Sequence, residues 1–438
     1  MKAKTRVLII AYYWPPAGGP GVQRWLKFVK YLPELGIEPV LYVPDGAHYP
    51  LRDEKGLTEV PDGIEILRGP IWEPYGLAGR FSKKDTQKIS AGLMPKAQSQ
   101  STLQKIMLWI RGNVFIPDAR RGWVGPSVRR LRHYVAQHPV EAIITTGPPH
   151  SVHLIGLGLQ QHTGLPWLAD FRDPWTTIGY HQALRLSAYA ANRHKKLEKK
   201  VLHSADRILV TSPTTAAEFA QITPRPIEVI TNGYDSEPVP PAPLDSKFSI
   251  AHIGSLLSDR NPQVLWESLR DLINIEPGFA EAFQLKLIGA VSPEVMHSIE
   301  AHGLLPYVWA PGYVPHHEAL LQQRTSQVLL LIEIDQPETR CILPGKLFEY
   351  MVSGRPILAL GPEGSDMIDL LTRTNTGRFY TYQSAQQTLV QQLRDWFAQY
   401  QAGTLQSHGI GLQPYHRKAL TAQLAQLIQQ RLVNQSAD

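Results

Sequence analysis

The chain has 438 residues, 43% of them hydrophobic, and domains usually hold roughly 100–250 residues, so two cores are expected. Its 44 basic and 38 acidic side chains leave +6, too diffuse to imply nucleic acid, while acidic small molecules and an anionic membrane surface stay open. A single cysteine, Cys341, excludes an internal disulfide framework and a cysteine-rich metal site, and fits a reducing, cytoplasmic compartment.

The chain begins "MKAKTRVLIIAYYWPP", whose short apolar run breaks into Tyr, Trp and Pro; it reads as a first strand and not as a signal peptide. Further buried strands are predicted at "EPVLYVP", "EAIITTG", "PWLADF", "RILVTS" and "IEVITNG", with helical spacing between them, as over Val22–Leu35 and Val152–His162. "YDSEPVPPAPLDSK", Tyr234 to Lys247, is too rich in proline for helix or central strand and reads as a linker. The alternation then restarts with "SIAHIGSL", "FQLKLIGA", "YVWAPGYV", "QVLLLIEI", "RPILALG" and "GRFYT", and a polar amphipathic helix closes the chain from about Tyr415. No run reaches the roughly 18 apolar residues of a membrane span. The expectation is α/β: two doubly wound, Rossmann-like domains facing one another across a cleft, at residues 1–236 and 248–414, joined by a linker at 237–247 and followed by a C-terminal helix at 415–438.

Ligands of parallel sheets bind at the carboxyl ends of strands, so the residues just after each predicted strand are the informative ones. "PPAGGPGVQRW" places Gly18, Gly19 and Gly21 before a helix start able to face an anion, although the spacing is not the dinucleotide fingerprint. "TTGPPHSVH" puts His150 and His153 on one helical face, where substrate contact or capping fits better than a metal, since no third ligand is suggested. Arg172 and Asp173 of "DFRDPW" end a buried strand, where charged groups need each other or a ligand. In the second half, Gly254 stands at a strand end and Arg260 in the following loop, suited to a diphosphate or simply solvated. "PGKLFEY" sets Gly345 and Lys346 at a helix start that attracts phosphate, with Glu349 one turn further on, placed to accept ribose hydroxyls or merely to sit in the helix dipole.

From "YYWPPAGGPGVQRW" through "TNGYD" and "HIGSLLSDRNP" to "KLFEYMVSGRPIL", the chain resembles the retaining glycosyltransferases of the two-Rossmann-domain (GT-B) type, specifically the group 4-like class. The resemblance implies a metal-independent enzyme without cofactor. It would move a hexosyl or related group from a nucleoside diphosphate sugar to a hydroxyl acceptor, in cell-surface polysaccharide or glycolipid synthesis. The nucleotide sugar would lie mainly on the C-terminal domain and a glycan or lipid-linked acceptor on the N-terminal one. The family's Gly-rich loop matches Gly18 and Gly19, its linker-entry "NG" matches Asn232 and Gly233, and its ribose-binding second glutamate matches Glu349.

The departures are specific. The first glutamate of the family's pair is replaced by Cys341, the histidine that relatives often carry gives way to Arg172–Asp173, and the diphosphate cations fall near Ser255 and Asn261. Arg260 and Lys346 are then expected to neutralise the leaving diphosphate while the domains close, with Asp173 and Arg172 at the reaction centre. The competing expectations are a nucleotide-sugar epimerase, which would be richer in acids around the sugar, and a non-catalytic nucleotide-sugar binder of a polysaccharide assembly complex.

"STLQKIMLWIRGNVFIPDARRGW" adds a localisation. Leu103, Ile106, Met107, Ile110 and Val114 recur at helical spacing beside Lys105, Arg111, Arg120 and Arg121, with Arg129, Arg130 and Arg132 following. That is the composition of a helix lying on an anionic membrane, here the inner face; packing against its own domain is the alternative.

Overall fold

The structure is a computed structural model that describes residues 4–49, 51–73, 102–182, 184–235 and 242–435. Of the linker expected at 237–247, residues 237–241 therefore lie outside the described residues. The chain divides into two compact units, one of Met1–Thr231 with Arg417–Asp438 and one of Asn232–His416.

The first unit is built on seven parallel strands: β1 (Thr5–Ala11), β2 (Ile37–Asp45), β3 (Glu65–Pro70), β4 (Ala142–Gly147), β5 (Trp167–Phe171), β6 (Arg207–Val210) and β7 (Ile227–Val229). Their order is β3-β2-β1-β4-β5-β6-β7. The central strands are continuous runs such as VLII and AII because both faces are covered. One face carries the helix Pro20–Tyr31 and the C-terminal helix Arg417–Gln435, whose Leu420, Leu424 and Ile428 join a core with Trp25, Val29 and Ile144. The other face buries Trp123, Ile155, Trp167 and Phe171. β3 lacks such a run and pairs as an edge strand, with only Gly69 fully buried.

The second unit has six parallel strands, β8 (Phe248–Ile253), β9 (Phe283–Ile288), β10 (Val308–Gly312), β11 (Val328–Ile332), β12 (Ile357–Gly361) and β13 (Gly377–Thr381), in the order β10-β9-β8-β11-β12-β13. Phe248, Leu269, Leu330 and Phe397 fill one face, and Ala251, Leu347, Tyr350 and Met367 the other. Both units are thus Rossmann-like. In each, the connections run outward in opposite directions from one pair of central strands, β1 with β4 and β8 with β11. The carboxyl ends of those pairs are the topological switch points, where open α/β sheets leave a ligand crevice.

Candidate functional site

At the switch point of the second unit, β8 is followed by Gly254, whose φ of +123° favours glycine, and a Cβ on the neighbouring Gly289 would lie 2.5 Å from the Gly254 carbonyl oxygen. The two strand ends pack backbone to backbone. Above them the Lys346 side chain returns from the helix Gly345–Met351, so that its Nζ donates to the Ile253 carbonyl at 3.1 Å and lies 3.4 Å from His252 Nε2. The Tyr350 hydroxyl accepts from the Ile253 N–H at 3.2 Å and fixes the helix against β8. Gly345 has open space around it. The helix has seven residues and no side-chain cap, so its dipole is short and Lys346 is the main positive feature it supplies.

The acids around Lys346 are already engaged. Glu333, buried just after β11, accepts from Arg260 Nη2 at 2.9 Å and from the Ile334 N–H at 2.9 Å. Glu349 accepts from Gln323 Nε2 at 2.9 Å through Oε2. Lys346 is left with two neutral acceptors, and burial pushes its pKa down to about 7, with Arg260 acting in the same sense against Glu333 and Glu349. An ammonium group so placed favours an anion. Arg260 reaches the same strand ends as one half of an ion pair. Glu349 keeps Oε1 without a partner among the described residues, while Gln323 fixes the plane of its carboxylate.

At the switch point of the first unit, Arg172 follows β5 and ties three segments together. Its Nη1 donates to the Gly21 carbonyl at 2.6 Å, its Nε to the Gly147 carbonyl at 3.2 Å, and its Nη2 to the Pro148 carbonyl. The glycine that meets this group is Gly21. Gly18 and Gly19 turn the loop before the helix Pro20–Tyr31, with the Gly18 N–H donating to the Leu51 carbonyl at 2.9 Å. Asp173 is half-buried, and no side chain among the described residues donates to its carboxylate. Burial raises its pKa, and Asp170 adds to that shift against the pull of Arg172.

His150 and His153 open the helix Ser151–Thr163 and are both buried. His150 does not cap it. Asp118 does, accepting from the Ser151 N–H and hydroxyl at 2.8 Å each. The His150 ring stacks on Trp175 with centroids 4.7 Å apart, and neither of its nitrogens has a hydrogen-bond partner among the described residues. His153 Nδ1 lies 2.9 Å from the Thr145 hydroxyl, which also accepts from Trp167 Nε1 at 2.9 Å. Burial lowers the pKa of both rings, to about 3 for His153, so both are neutral. Neutral imidazoles against aromatic faces suit hydroxyl groups. Beneath them lies a closed structural pair: Asp170 accepts from Arg24 Nη2 at 2.9 Å, Trp25 Nε1 at 2.7 Å and the Thr146 hydroxyl at 2.9 Å.

The structure thus gathers Arg172, Asp173, His150 and His153 at the ends of β4 and β5, and Gly254, Arg260 and Lys346 at the ends of β8 and β11, with Glu349 one turn beyond Lys346. Asp118, Gln323, Glu333 and His252, and the pairing of Gly21 with Arg172, escape a reading by local motif, because each acts through a partner distant in sequence. No group of three or more His, Cys, Asp or Glu placed to hold a metal ion occurs among the described residues.

On the helix Thr102–Asn113, Leu108 is buried against Leu184, while Ile106, Trp109, Ile110 and the following Val114 are 50%, 48%, 39% and 54% exposed. Met107 is half-buried with Leu108, so it belongs to the packed face and Trp109 takes its place on the exposed one. Among the described residues, no helix is long and apolar enough to cross a membrane.

Residues 95–238 match the family model described as Glycosyltransferase Family 4. Among curated proteins, no sequence match is found. Among solved structures, sucrose-phosphate synthase from Thermosynechococcus elongatus aligns with a TM-score of 0.61 at 16% identity, over 98% of this chain and 100% of that one. HepE of Anabaena, in complex with UDP-glucose, aligns at 0.56 and 13% identity over 99% of each chain. WaaG, a glycosyltransferase involved in lipopolysaccharide biosynthesis, aligns at 0.54 and 14% identity over 96% of this chain and 99% of that one. Likeness at such identities concerns the fold. Residues 95–238 are thus similar to Glycosyltransferase Family 4, and over the whole chain the likeness is one of fold, two Rossmann-like units of the GT-B type.

Proposed function

We propose that the protein transfers a hexosyl or related sugar from a nucleoside diphosphate sugar to a hydroxyl acceptor, with retention at the anomeric carbon and without a metal. The observation that carries this reading is the Lys346 ammonium at the β8/β11 switch point, held by two neutral acceptors while Glu333 and Glu349 are engaged elsewhere. A diphosphate supplies the missing negative charge. Lys346 and Arg260 would meet its oxygens beside Gly254 and Gly345, and the free Oε1 of Glu349 would accept from the ribose hydroxyls. The nucleotide sugar bound to the Anabaena protein of the same fold supports this choice of donor.

In the reaction, the bond from the anomeric carbon to the leaving phosphate oxygen breaks, the acceptor oxygen bonds to the same face, and its proton passes to the phosphate. The protein's work is electrostatic: Lys346 and Arg260 stabilise charge that grows on the leaving group. In the N-terminal unit, Asp173 and Arg172 would orient the acceptor hydroxyl, with His150 and His153 beside it and the Gly18–Gly19 loop shaping the approach. A glycan or lipid-linked acceptor, as in polysaccharide or glycolipid synthesis, fits the exposed Ile106, Trp109, Ile110 and Val114 beside Lys105 and Arg111, a surface suited to the inner, anionic face of a membrane. Incubation with UDP-, GDP-, ADP- and dTDP-sugars, reading free nucleoside diphosphate, tests the reading. Release from one donor without change in the unused donor supports transfer chemistry; an altered sugar in that donor indicates an epimerase, and binding without release a non-catalytic binder.

A further inference from the structure

Lys346 does not reach the end of β8 unaided. His252, the penultimate residue of β8, is buried, and its ring joins two strands to the lysine: Nδ1 lies 3.2 Å from the Leu330 carbonyl of β11, and Nε2 lies 3.4 Å from Lys346 Nζ. A carbonyl can only accept, so Nδ1 carries the proton and Nε2 turns a lone pair toward the ammonium. A neutral ring is required for this, and burial, with Lys346 and Arg260 nearby, keeps His252 neutral by lowering its pKa well below the usual value. The ammonium then has two of its three N–H groups fixed, one by His252 and one by the Ile253 carbonyl at 3.1 Å. The third has no partner among the described residues and is left for a ligand.

Resting on the donor reading above, we infer that His252 is a positioning residue: by donating to Leu330 it presents Nε2 to Lys346 and holds the lysine's remaining N–H for a phosphate oxygen of the donor. A lysine on four rotatable bonds would otherwise sample many positions, and its charge would be drawn to Glu333 or Glu349. The charged and titratable groups facing this lysine are Arg260 from the loop after β8, Glu333 after β11, and Glu349 on its own helix. Arg260 occupies Glu333, and Gln323 occupies one oxygen of Glu349, which leaves the neutral imidazole as the side-chain partner of Lys346. The arrangement keeps the lysine near carboxylates without pairing it to one.

Two substitutions separate the functions of the ring. His252→Asn retains a donor for Leu330 but places no acceptor toward Lys346, whereas His252→Gln carries an acceptor to about the position of Nε2. Calorimetric dissociation constants for UDP, GDP and ADP, each against its parent nucleoside, are to be measured from pH 6 to 9 for the full-length wild type, both variants and Lys346→Ala. The expected result is that His252→Asn loses at least about tenfold of the preference for diphosphate over nucleoside at pH 6.5 and displaces its pH midpoint. His252→Gln should keep the preference to within about threefold, and nucleoside affinity should not change in either. If Lys346→Ala abolishes the preference while His252→Asn leaves both preference and pH course intact, the positioning role is overturned and the donor site stands. If Lys346→Ala leaves the preference intact, or the wild type shows none, the donor reading fails and this inference with it. A merely structural histidine would lower the melting temperature in both variants and leave the preference and its pH course unmoved.

Discussion

Arg172 Nη1 donates to the Gly21 carbonyl at 2.6 Å, and a Cβ on Gly21 would stand 2.7 Å from that same nitrogen. The glycine in the first loop and the arginine after β5 are therefore one feature, a guanidinium held among three backbone carbonyls at the switch point of the first unit.

It follows that Gly21→Ala should act by displacing the guanidinium, leaving carbonyls unpaired at a cost of about 1–3 kcal/mol. Residues in contact do not add. The double variant Gly21→Ala/Arg172→Ala should be no less stable than Arg172→Ala alone by more than about 0.5 kcal/mol in chemical denaturation. Full additivity would show that the two act separately.

Asp170 and Asp173 lie three residues apart and should respond in opposite ways. Arg24, Trp25 and Thr146 hold the Asp170 pKa below its usual value against its burial, so its stabilising contribution is present above the unfolded carboxylate pKa and is lost as pH falls. Asp170→Asn leaves buried Arg24 with a neutral partner and should cost about 3–5 kcal/mol at neutral pH. Asp173 has a raised pKa, so ionising it costs stability as pH rises through that value. Asp173→Asn should keep or raise the melting temperature at pH 7 and still reduce sugar transfer by at least about 100-fold. Full activity would return Asp173 to a purely structural place.

Lys346 should lower stability while serving binding. Its pKa in the folded protein is about 7 against about 10.4 when unfolded, so between those values the unfolded chain takes up a proton that the folded one does not. Stability from this residue therefore falls as pH drops from about 10 to about 7 and is level below. Lys346→Met should raise the melting temperature at pH 7.5 and remove the diphosphate preference together. A lower melting temperature with binding kept would contradict both.

The exposed stripe on the helix Thr102–Asn113 should bind lipid. Sedimentation with vesicles of anionic lipid at low salt should carry the protein down, and neutral vesicles or high salt should not, since each basic residue contributes about 1 kcal/mol near such a surface. Ile106→Ser with Ile110→Ser should reduce this binding about tenfold or more without changing donor affinity. Equal partition to neutral and anionic vesicles would remove the electrostatic part of the account.

Strands with continuous apolar runs were legible because their period and burial are local: VLII of β1 and VLLLI of β11 announce themselves. β3 was not, since Glu65–Pro70 is a half-exposed edge strand whose pairing comes from β2 and not from its own composition. The site divides in the same way. Lys346 and Glu349 stand in one short motif, but the contact of Lys346 with the Ile253 carbonyl spans 93 residues, and the hold of Gln323 on Glu349 spans 26. Glu333 stands in the run "QVLLLIEI" like any strand-end acid, and only its ion pair with Arg260, 73 residues away, distinguishes it. Tertiary partners of this kind leave no spacing in the chain.

The most direct measurement is the release of nucleoside diphosphate from a panel of nucleotide sugars, by wild type and by Lys346→Ala, with a glycan or lipid-linked acceptor extract present. The account predicts that one donor yields nucleoside diphosphate faster with the extract than without it, and that Lys346→Ala lowers this rate by at least about 100-fold. No release from any donor, or release untouched by Lys346→Ala in a folded protein, would contradict it.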